Sequence, residues 1–322
     1  MCISFLYLQG RRVLIASNRD EVFSRVTIPL CKWSHEGKIQ ILSGKDGVAG
    51  GLWLGVSDRG RWAVLTNFRD LAMSKGELSR GAIVKAWLTE ENRSAAEFLQ
   101  RLEGEVEAGK HSPFSVAFGQ VRGSVPSAHY FTNGAAAFAK RRRGTGSGGE
   151  GRDQGSRAQA AEAAANAGTS TTGKAPPTLS AAQAAATVAG ASGSQAFSCA
   201  LTDGFHSISN AVLDSGWRKE RRGLRSFRNA LVGSGEGKEK GNGDGEGNGK
   251  EKASSLASIL FSALLDDAEI LIAPEGEEDA SAVPRTGFPR LVESKLSSIF
   301  ISAFEAGDEG ACESVTVVEV NR

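Results

Sequence analysis

Apolar residues open the chain in two short runs, Ile3-Ser4-Phe5-Leu6-Tyr7-Leu8 and Arg12-Val13-Leu14-Ile15-Ala16-Ser17, on either side of Gln9-Gly10-Arg11. Two such runs around a glycine turn predict a β-hairpin. With the turn centred near Gly10, cross-strand partners have numbers summing to roughly 20. Cys2 then lies opposite Asn18, with Arg19 and Asp20 just beyond. Ser43-Gly44-Lys45-Asp46-Gly47 reads as a turn, and Gly50-Gly51 leads into an apolar strand ending at Val56. Ser57-Asp58-Arg59-Gly60 turns the chain into Arg61-Trp62-Ala63-Val64-Leu65-Thr66-Asn67, a second hairpin. Centring that turn between Asp58 and Arg59 sets Asn67 opposite Gly50, where the missing side chain leaves room.

The period then changes to that of a helix. Ser79 is placed to cap residues 80 to 88, whose Ile83, Val84 and Trp87 share one face. Ser94-Ala95-Ala96-Glu97 is a capping box, and the helix it opens carries Phe98, Leu99 and Leu102 inward and should stop at Gly104. Residues 113 to 121 and 127 to 132 read as a strand pair. Residues 205 to 210 alternate like a strand and end in Ser209-Asn210, as the earlier strand ends in Thr66-Asn67. Helices follow at 217 to 231, strongly basic outside, and at 254 to 266, with strands near 295 to 303 and 314 to 320. Strand runs with helical pairs between them predict an α+β architecture of layered sheets.

Composition divides the chain unevenly. Residues 141 to 195 are rich in Gly, Ala, Ser and Thr and hold no aromatic residue, too little apolar surface to offset the entropy of ordering them. Residues 233 to 252 alternate Gly with Glu, Lys, Asn and Asp, the composition of a linker. Both are expected to be disordered insertions in a single domain spanning 1 to 322. The remaining roughly 240 residues are ample for one core. A formal net charge of +1 argues against a nucleic-acid partner, and Lys140-Arg141-Arg142-Arg143 reads as a solvated linker edge. Four dispersed cysteines form no Cys-x-x-Cys pair, so neither a disulfide framework nor a structural metal is expected. No run approaches the roughly 18 apolar residues of a membrane span. An intracellular protein is expected.

Candidate chemistry centres on Cys2. A small residue at position 2 usually permits removal of Met1, which would join a thiol to a free α-amino group with a reference pKa of about 7.7 to 8.0. Such an amine can accept the thiol proton. Arg19 would favour the thiolate, and Asp20 could orient the Arg or the amine. Taken alone, Cys2 reads equally as a small buried residue or an acylation site. Arg19 with Asp20 or Glu21 reads as a solvent-exposed ion pair. Asn67 and Asn210 are ordinary strand-ending residues when each is considered singly, and His206 reads as a polar residue on an exposed strand face.

Together, Cys2, Asn18-Arg19-Asp20-Glu21, Gly50-Gly51-x-Trp53-Leu54-Gly55, Leu65-Thr66-Asn67, Ser79-Arg80-Gly81, Ser209-Asn210-Ala211 and Trp217-Arg218-Lys219 resemble the NRDE family, also called the transport and Golgi organisation 2 family. That family is similar to N-terminal-nucleophile hydrolases of the choloylglycine hydrolase and penicillin V acylase kind. The resemblance implies a four-layer αββα sandwich with Cys2 as nucleophile and Arg19 and Asp20 attending it. It also implies Asn67 and Asn210 as the oxyanion donor and the group orienting the amine. No cofactor or metal is implied. The implied ligand is a small acyl-amide, a lipid or a haem-like molecule, with links to Golgi organisation, secretion, and lipid and haem homeostasis. Cytoplasmic placement, with Golgi, mitochondrial or peripheral membrane association, is the corresponding expectation. Two roles stay open: a cysteine amidohydrolase or acyl-transfer enzyme, and a non-enzymatic lipid- or haem-handling or trafficking protein on the same fold. The chain departs from the family pattern at Pro113-Phe114-Ser115, where members carry Gly-Phe-Asn, and at Gly310-Ala311-Cys312-Glu313, where an arginine is expected.

Overall fold

The computed structural model describes residues 2–22, 24–69, 76–90, 92–144, 196–233 and 310–320, with 22, 140–144, 233 and 310–320 as backbone only. The insertions beyond 144 and 233, the helix expected at 254 to 266 and the strand expected at 295 to 303 lie outside these residues.

The first hairpin forms from β1 (Ile3–Gln9) and β2 (Arg12–Val22), with Gly10 at a positive φ of 56° in a two-residue turn. Gln9 pairs with Arg12 and Ile3 with Asn18. The register is therefore one residue away from the expectation, because the turn consumes Gly10 and Arg11 and leaves Gln9 in the ladder. Cys2 stands level with Arg19 instead of Asn18.

A further hairpin, β3 (Thr27–His35) and β4 (Ile39–Asp46), forms from a stretch to which the sequence pattern assigned only the turn at 43 to 47. Ser43 to Asp46 is strand, contrary to the turn reading, since ladders with β3 and β5 (Leu54–Ser57) satisfy its backbone. Pro29 is tolerated because β3 is an edge strand. In the next hairpin, β5 and β6 (Arg61–Asn67) pair Leu54 with Val64, again one residue from the expected register. Asn67 thereby comes level with Gly51. Gly50 instead occupies a left-handed turn at φ 64°, its N–H bonded to the Asp46 carbonyl.

The later strands are β7 (Phe114–Gln120), β8 (Ser127–Thr132), β9 (Phe197–Ala200), β10 (Gly204–Ile208) and β11 (Gly310–Val320). Two antiparallel sheets result, ordered β10-β1-β2-β11 and β3-β4-β5-β6-β7-β8-β9. β11 bulges between Cys312 and Ser314, opposite Arg19 and Asp20.

The near-continuous apolar run of β1 is explained by burial on both faces. Leu6 and Leu8, with Val13 and Ile15 of β2, meet Trp62, Val64, Ala117 and Tyr130 of the second sheet. Ile3 and Phe5, with Leu14 and Ala16, meet Phe227, Ala230 and Leu231 of the 218–233 helix. Ser4, the polar break in that run, is buried and bonded to Ser17 Oγ at 2.8 Å.

Helix α1 (Gly81–Thr89) starts from Arg80 with no side-chain cap, so Ser79 does not cap it as expected. Its other end is held by Arg61, which donates to the carbonyls of Trp87 and Glu90 at 2.9 and 2.6 Å, a cation at the negative helix end. Helix α2 (Ala95–Glu107) begins with the expected Ser94–Glu97 capping box but passes Gly104. Burial of Val106 against the sheet outweighs the cost of about 1 kcal/mol of an interior glycine. Trp87, Phe98 and Phe118 pack there with ring centroids 4.8 to 5.1 Å apart.

Helix α3 (Ala135–Gly144) carries regular backbone across Arg141 to Arg143, past the point where disorder was expected to begin. Helix α4 (Arg218–Gly233) lies on β1 and β10. A Cβ at Gly223 would come within 2.1 Å of the Phe5 ring, so glycine sets that close approach. Among the described residues no helix is long and apolar enough to cross a membrane.

Candidate functional site

Cys2 is 7% exposed and sits at the mouth of β1. Its carbonyl accepts a hydrogen bond from Ser209 Oγ at 3.1 Å, just beyond the end of β10, which pairs with β1. Ser209 in turn accepts at its carbonyl from Thr66 Oγ1 of β6. Asn210 Nδ2 donates to the Asn67 carbonyl at 2.8 Å, and Arg69 N donates to the Asn210 carbonyl at 2.8 Å. The Thr-Asn end of β6 and the Ser-Asn end of β10 therefore lie against one another. They tie the two sheets together at the edge where Cys2 emerges.

A cavity of about 430 Å³ opens at that edge, with Cys2, Arg19, Trp53, Asn67 and Arg80 in its wall. Arg19 donates to Thr27 Oγ1 at 2.6 Å, lies over the Trp53 ring at 4.6 Å, and stands 3.5 and 3.6 Å from Asp46 and Glu21. Arg25 bonds Asp46 Oδ2 at 2.6 Å, while Asp46 Oδ1 accepts the amides of Val48 and Ala49. Burial works to raise the Asp46 pKa, but those amides and Arg25 outweigh it and the net shift is downward. α1 reaches the wall because Gly51 and Gly81 face each other. A Cβ on Gly51 would come within 2.8 Å of the Gly81 Cα. Arg80, next to Gly81, donates to the Pro113 carbonyl at 3.0 Å.

A second polar group is packed behind this wall. Asp20, Asn210, Lys219 and Glu220 are all buried and none lines the cavity. Lys219 Nζ donates to Asn210 Oδ1 at 3.1 Å. Glu220 Oε2 accepts from Ser215 Oγ and Gly216 N at 2.8 and 2.9 Å, across the start of α4. Burial pulls Lys219 down to about 8, with Arg69 adding to the effect and Asp20, Glu220 and Cys2 opposing it. Burial raises Glu220 to about 8.

Burial also raises the Cys2 thiol, against the Met1 α-amino charge, an Asp20 backbone amide and Arg19, while the Asp20 charge adds to the rise. Arg19 does favour the thiolate, as expected, but removal from water outweighs it.

Of the five residues singled out in the sequence, Cys2, Arg19 and Asn67 share one cavity. Asp20 and Asn210 stand behind it. Asn210 has its amide oxygen on Lys219 and an amide hydrogen on Asn67, which makes it a brace between strands. Sequence reasoning did not single out Arg80, in the cavity wall, or Lys219, on Asn210. Each lies in a quoted motif, and for Arg80 nothing local distinguishes it from a surface cation. One signal existed for Lys219: a lysine in a first helical turn opposes the helix dipole.

Ser115, one departure from the family pattern, is buried and structural. It donates to the Ala211 carbonyl at 2.8 Å and lies 2.9 Å from the Tyr130 hydroxyl, which accepts from Leu213 N. This fixes the segment that follows Asn210.

Other polar groups have local explanations. His206 bonds Asp214 Oδ2 at 3.1 Å and the Thr202 carbonyl. A groove of about 550 Å³ beside α2 is lined by charges that pair with one another, Arg93 and Arg101 with Glu90, and it lies apart from Cys2. Among the described residues no His, Cys, Asp or Glu cluster could hold a metal.

The model of the family described as Transport and Golgi organisation 2 matches residues 1–322. The Transport and Golgi organization protein 2 homolog of Bos taurus is 33% identical over 115 residues, covering 33% of this chain and 41% of that protein. The Homo sapiens homolog is 37% identical over 99 residues, covering 28% and 35%. The chain thus aligns with about two fifths or less of these relatives' length. Among solved structures, the Caenorhabditis elegans N-acylethanolamine-hydrolyzing acid amidase ortholog is similar with 11% identity and a TM-score of 0.31, covering 80% of this chain and 86% of that one. The conjugated bile acid hydrolase of Clostridium perfringens gives 9% and 0.33, covering 98% and 85%.

Proposed function

The chain belongs to the Transport and Golgi organisation 2 family, and on that premise we propose that Cys2 is the nucleophile of an amide- or thioester-cleaving site in a four-layer αββα sandwich of the N-terminal-nucleophile kind. One observation carries the reading: Cys2, Arg19 and Asn67 converge on one cavity where polar ends of both sheets meet. With Met1 removed, the α-amino group takes the thiol proton. The sulfur then forms a bond to the acyl carbon, and the carbonyl electron pair moves to oxygen. The Asn67 side-chain amide donates to that oxyanion, a type of contact whose loss costs about 10²- to 10³-fold in rate. Collapse of the intermediate expels the amine or thiol, which receives the proton from the α-ammonium group. Water, deprotonated by the same amine, then releases the acyl group from Cys2. Asn210 braces Asn67, while Arg19 and Asp20 surround the sulfur.

A second reading, binding of a lipid or haem-like ligand without turnover, is favoured by the buried and raised Cys2 thiol. In either reading we place the protein inside the cell in peripheral association with Golgi or mitochondrial membranes. The family's name supports the Golgi part of this placement alone, and salt extraction of Golgi and mitochondrial membrane fractions tests the whole.

Intact-mass measurement is expected to show loss of Met1. A panel of N-acyl amides and acyl thioesters should include one hydrolysed by the wild type and not by Cys2→Ala. A retained Met1 would remove the amine base and overturn the mechanism. Full cellular function in Cys2→Ala would leave the binding reading.

A further inference from the structure

A lysine that is 1% exposed, in the first turn of a helix, is placed against two physical tendencies. Burial of an ammonium group costs several kcal/mol unless it is well compensated, and the positive helix end repels it. Lys219 accepts both, and among the described residues no carboxylate is in ion-pair contact with it. Its hydrogen bond goes to Asn210 Oδ1 at 3.1 Å.

That bond determines the orientation of the Asn210 amide. An ammonium can only donate, so the side-chain oxygen must face Nζ and the NH₂ must face the other way. The other way is the Asn67 carbonyl, at 2.8 Å. Asn67 lines the Cys2 cavity, and Ser209, next to Asn210, holds the Cys2 carbonyl. The groups whose charges act on Lys219 are Arg69, Asp20, Glu220 and Cys2 itself. Arg69 stacks on Trp217 at 4.9 Å, and Glu220 is held by Ser215 and Gly216.

We propose that Lys219 is a positioning residue of the Cys2 site, fixing the Asn210 amide and through it the Asn67 wall. The inference rests on the reading of Cys2 as the reacting group. A purely structural lysine would affect stability and leave the thiol's ionisation alone. A positioning cation favours the thiolate only while it is itself charged, so its removal must slow Cys2 labelling below about pH 8, where Lys219 keeps its proton.

The test is the rate of Cys2 alkylation by iodoacetamide from pH 6 to 10, resolved by peptide mass spectrometry, with exposed Cys31 as internal reference. In Lys219→Met labelling of Cys2 is expected to be about tenfold slower below pH 8, the equivalent of one pH unit, and to approach the wild-type rate above it. Lys219→Gln, which keeps a donor and loses the charge, should move in the same direction, and Lys219→Arg should return towards wild type. Cys31 should not change. A folded Lys219→Met whose Cys2 labels at the wild-type rate below pH 8 overturns the proposal, as does failure of all three variants to fold, which would assign Lys219 to stability alone. A wild-type Cys2 that never labels while Cys31 does overturns the nucleophile reading, and this one with it.

Discussion

Beneath α1 and α2 the buried residues are Trp87, Phe98, Phe114 and Phe118, whereas at the start of α4 they are Asp20, Asn210, Lys219 and Glu220. Both regions are closed to water. In the first, each ring removed from water adds stability in proportion to its area. In the second, desolvation opposes every charge and displaces the pKa values of Lys219 and Glu220. A fold selected for stability alone would fill the second region as it fills the first, since apolar replacements of buried ions are often neutral or stabilising. The polar layer is therefore better understood through the cavity in front of it.

The sharpest way to break this contrast is to empty the aromatic layer. Trp87→Ala or Phe98→Ala should lower unfolding free energy by about 3–5 kcal/mol in urea titration. The pH midpoint of Cys2 alkylation should stay in place while the protein remains folded. A shifted midpoint would show that the two layers are not separable.

The next effect concerns pH. Glu220 is raised from 4.5 to about 8 in the folded protein, so between those values the fold holds a proton that the unfolded chain lacks. Its contribution is fully present below about pH 4.5 and is lost as pH rises through 8. Glu220→Gln mimics the protonated form, so the difference between variant and wild type should grow from pH 5 to pH 8, by on the order of a few kcal/mol. Parallel stability curves would show that Glu220 is ionised in the fold. Lys219 acts in the opposite sense at higher pH. Its folded value of about 8 lies below the usual 10.5, so stability should recover between them and Lys219→Met should flatten that limb.

Asn210→Ala removes the acceptor for Lys219 and the donor to the Asn67 carbonyl, at an expected cost of about 1–3 kcal/mol. It should also slow Cys2 alkylation, unlike an aromatic deletion of similar cost. Equal alkylation in the two would remove Asn210 from the site. Smallest is Gly104→Ala in α2, where a Cβ would meet nothing within 4 Å. It should stabilise by about 0.5–1 kcal/mol and leave the polar layer unaffected.

Several elements were legible because their signals are local. The hairpin around Gly10, the Ser94–Glu97 capping box and the strand pair 114–132 each depend on residues a few positions apart. The paired Thr66-Asn67 and Ser209-Asn210 endings were also visible as a pattern. β3 and β4 were not, because an edge strand exposed along most of its length carries no clean alternation. The Gly104 stop failed because burial of Val106, a tertiary event, carries the helix onward.

Periodicity and motif, which are properties of neighbouring positions, were enough for the hairpins around Gly10 and Gly60, the helices near 81–89, 95–107 and 218–231, and the grouping of Cys2, Arg19, Asp20, Asn67 and Asn210 as site candidates. Tertiary structure decided the one-residue registers that bring Cys2 level with Arg19, the division of the five residues into a cavity wall and a layer behind it, and the arrival of Lys219 beside Asn210. It also decided that the Cys2 thiol is raised, because a pKa follows from how much water and which charges surround a group: Arg19 and Asp20 come from the paired strand, and the burial is completed by segments such as that of Ser209, 207 residues away.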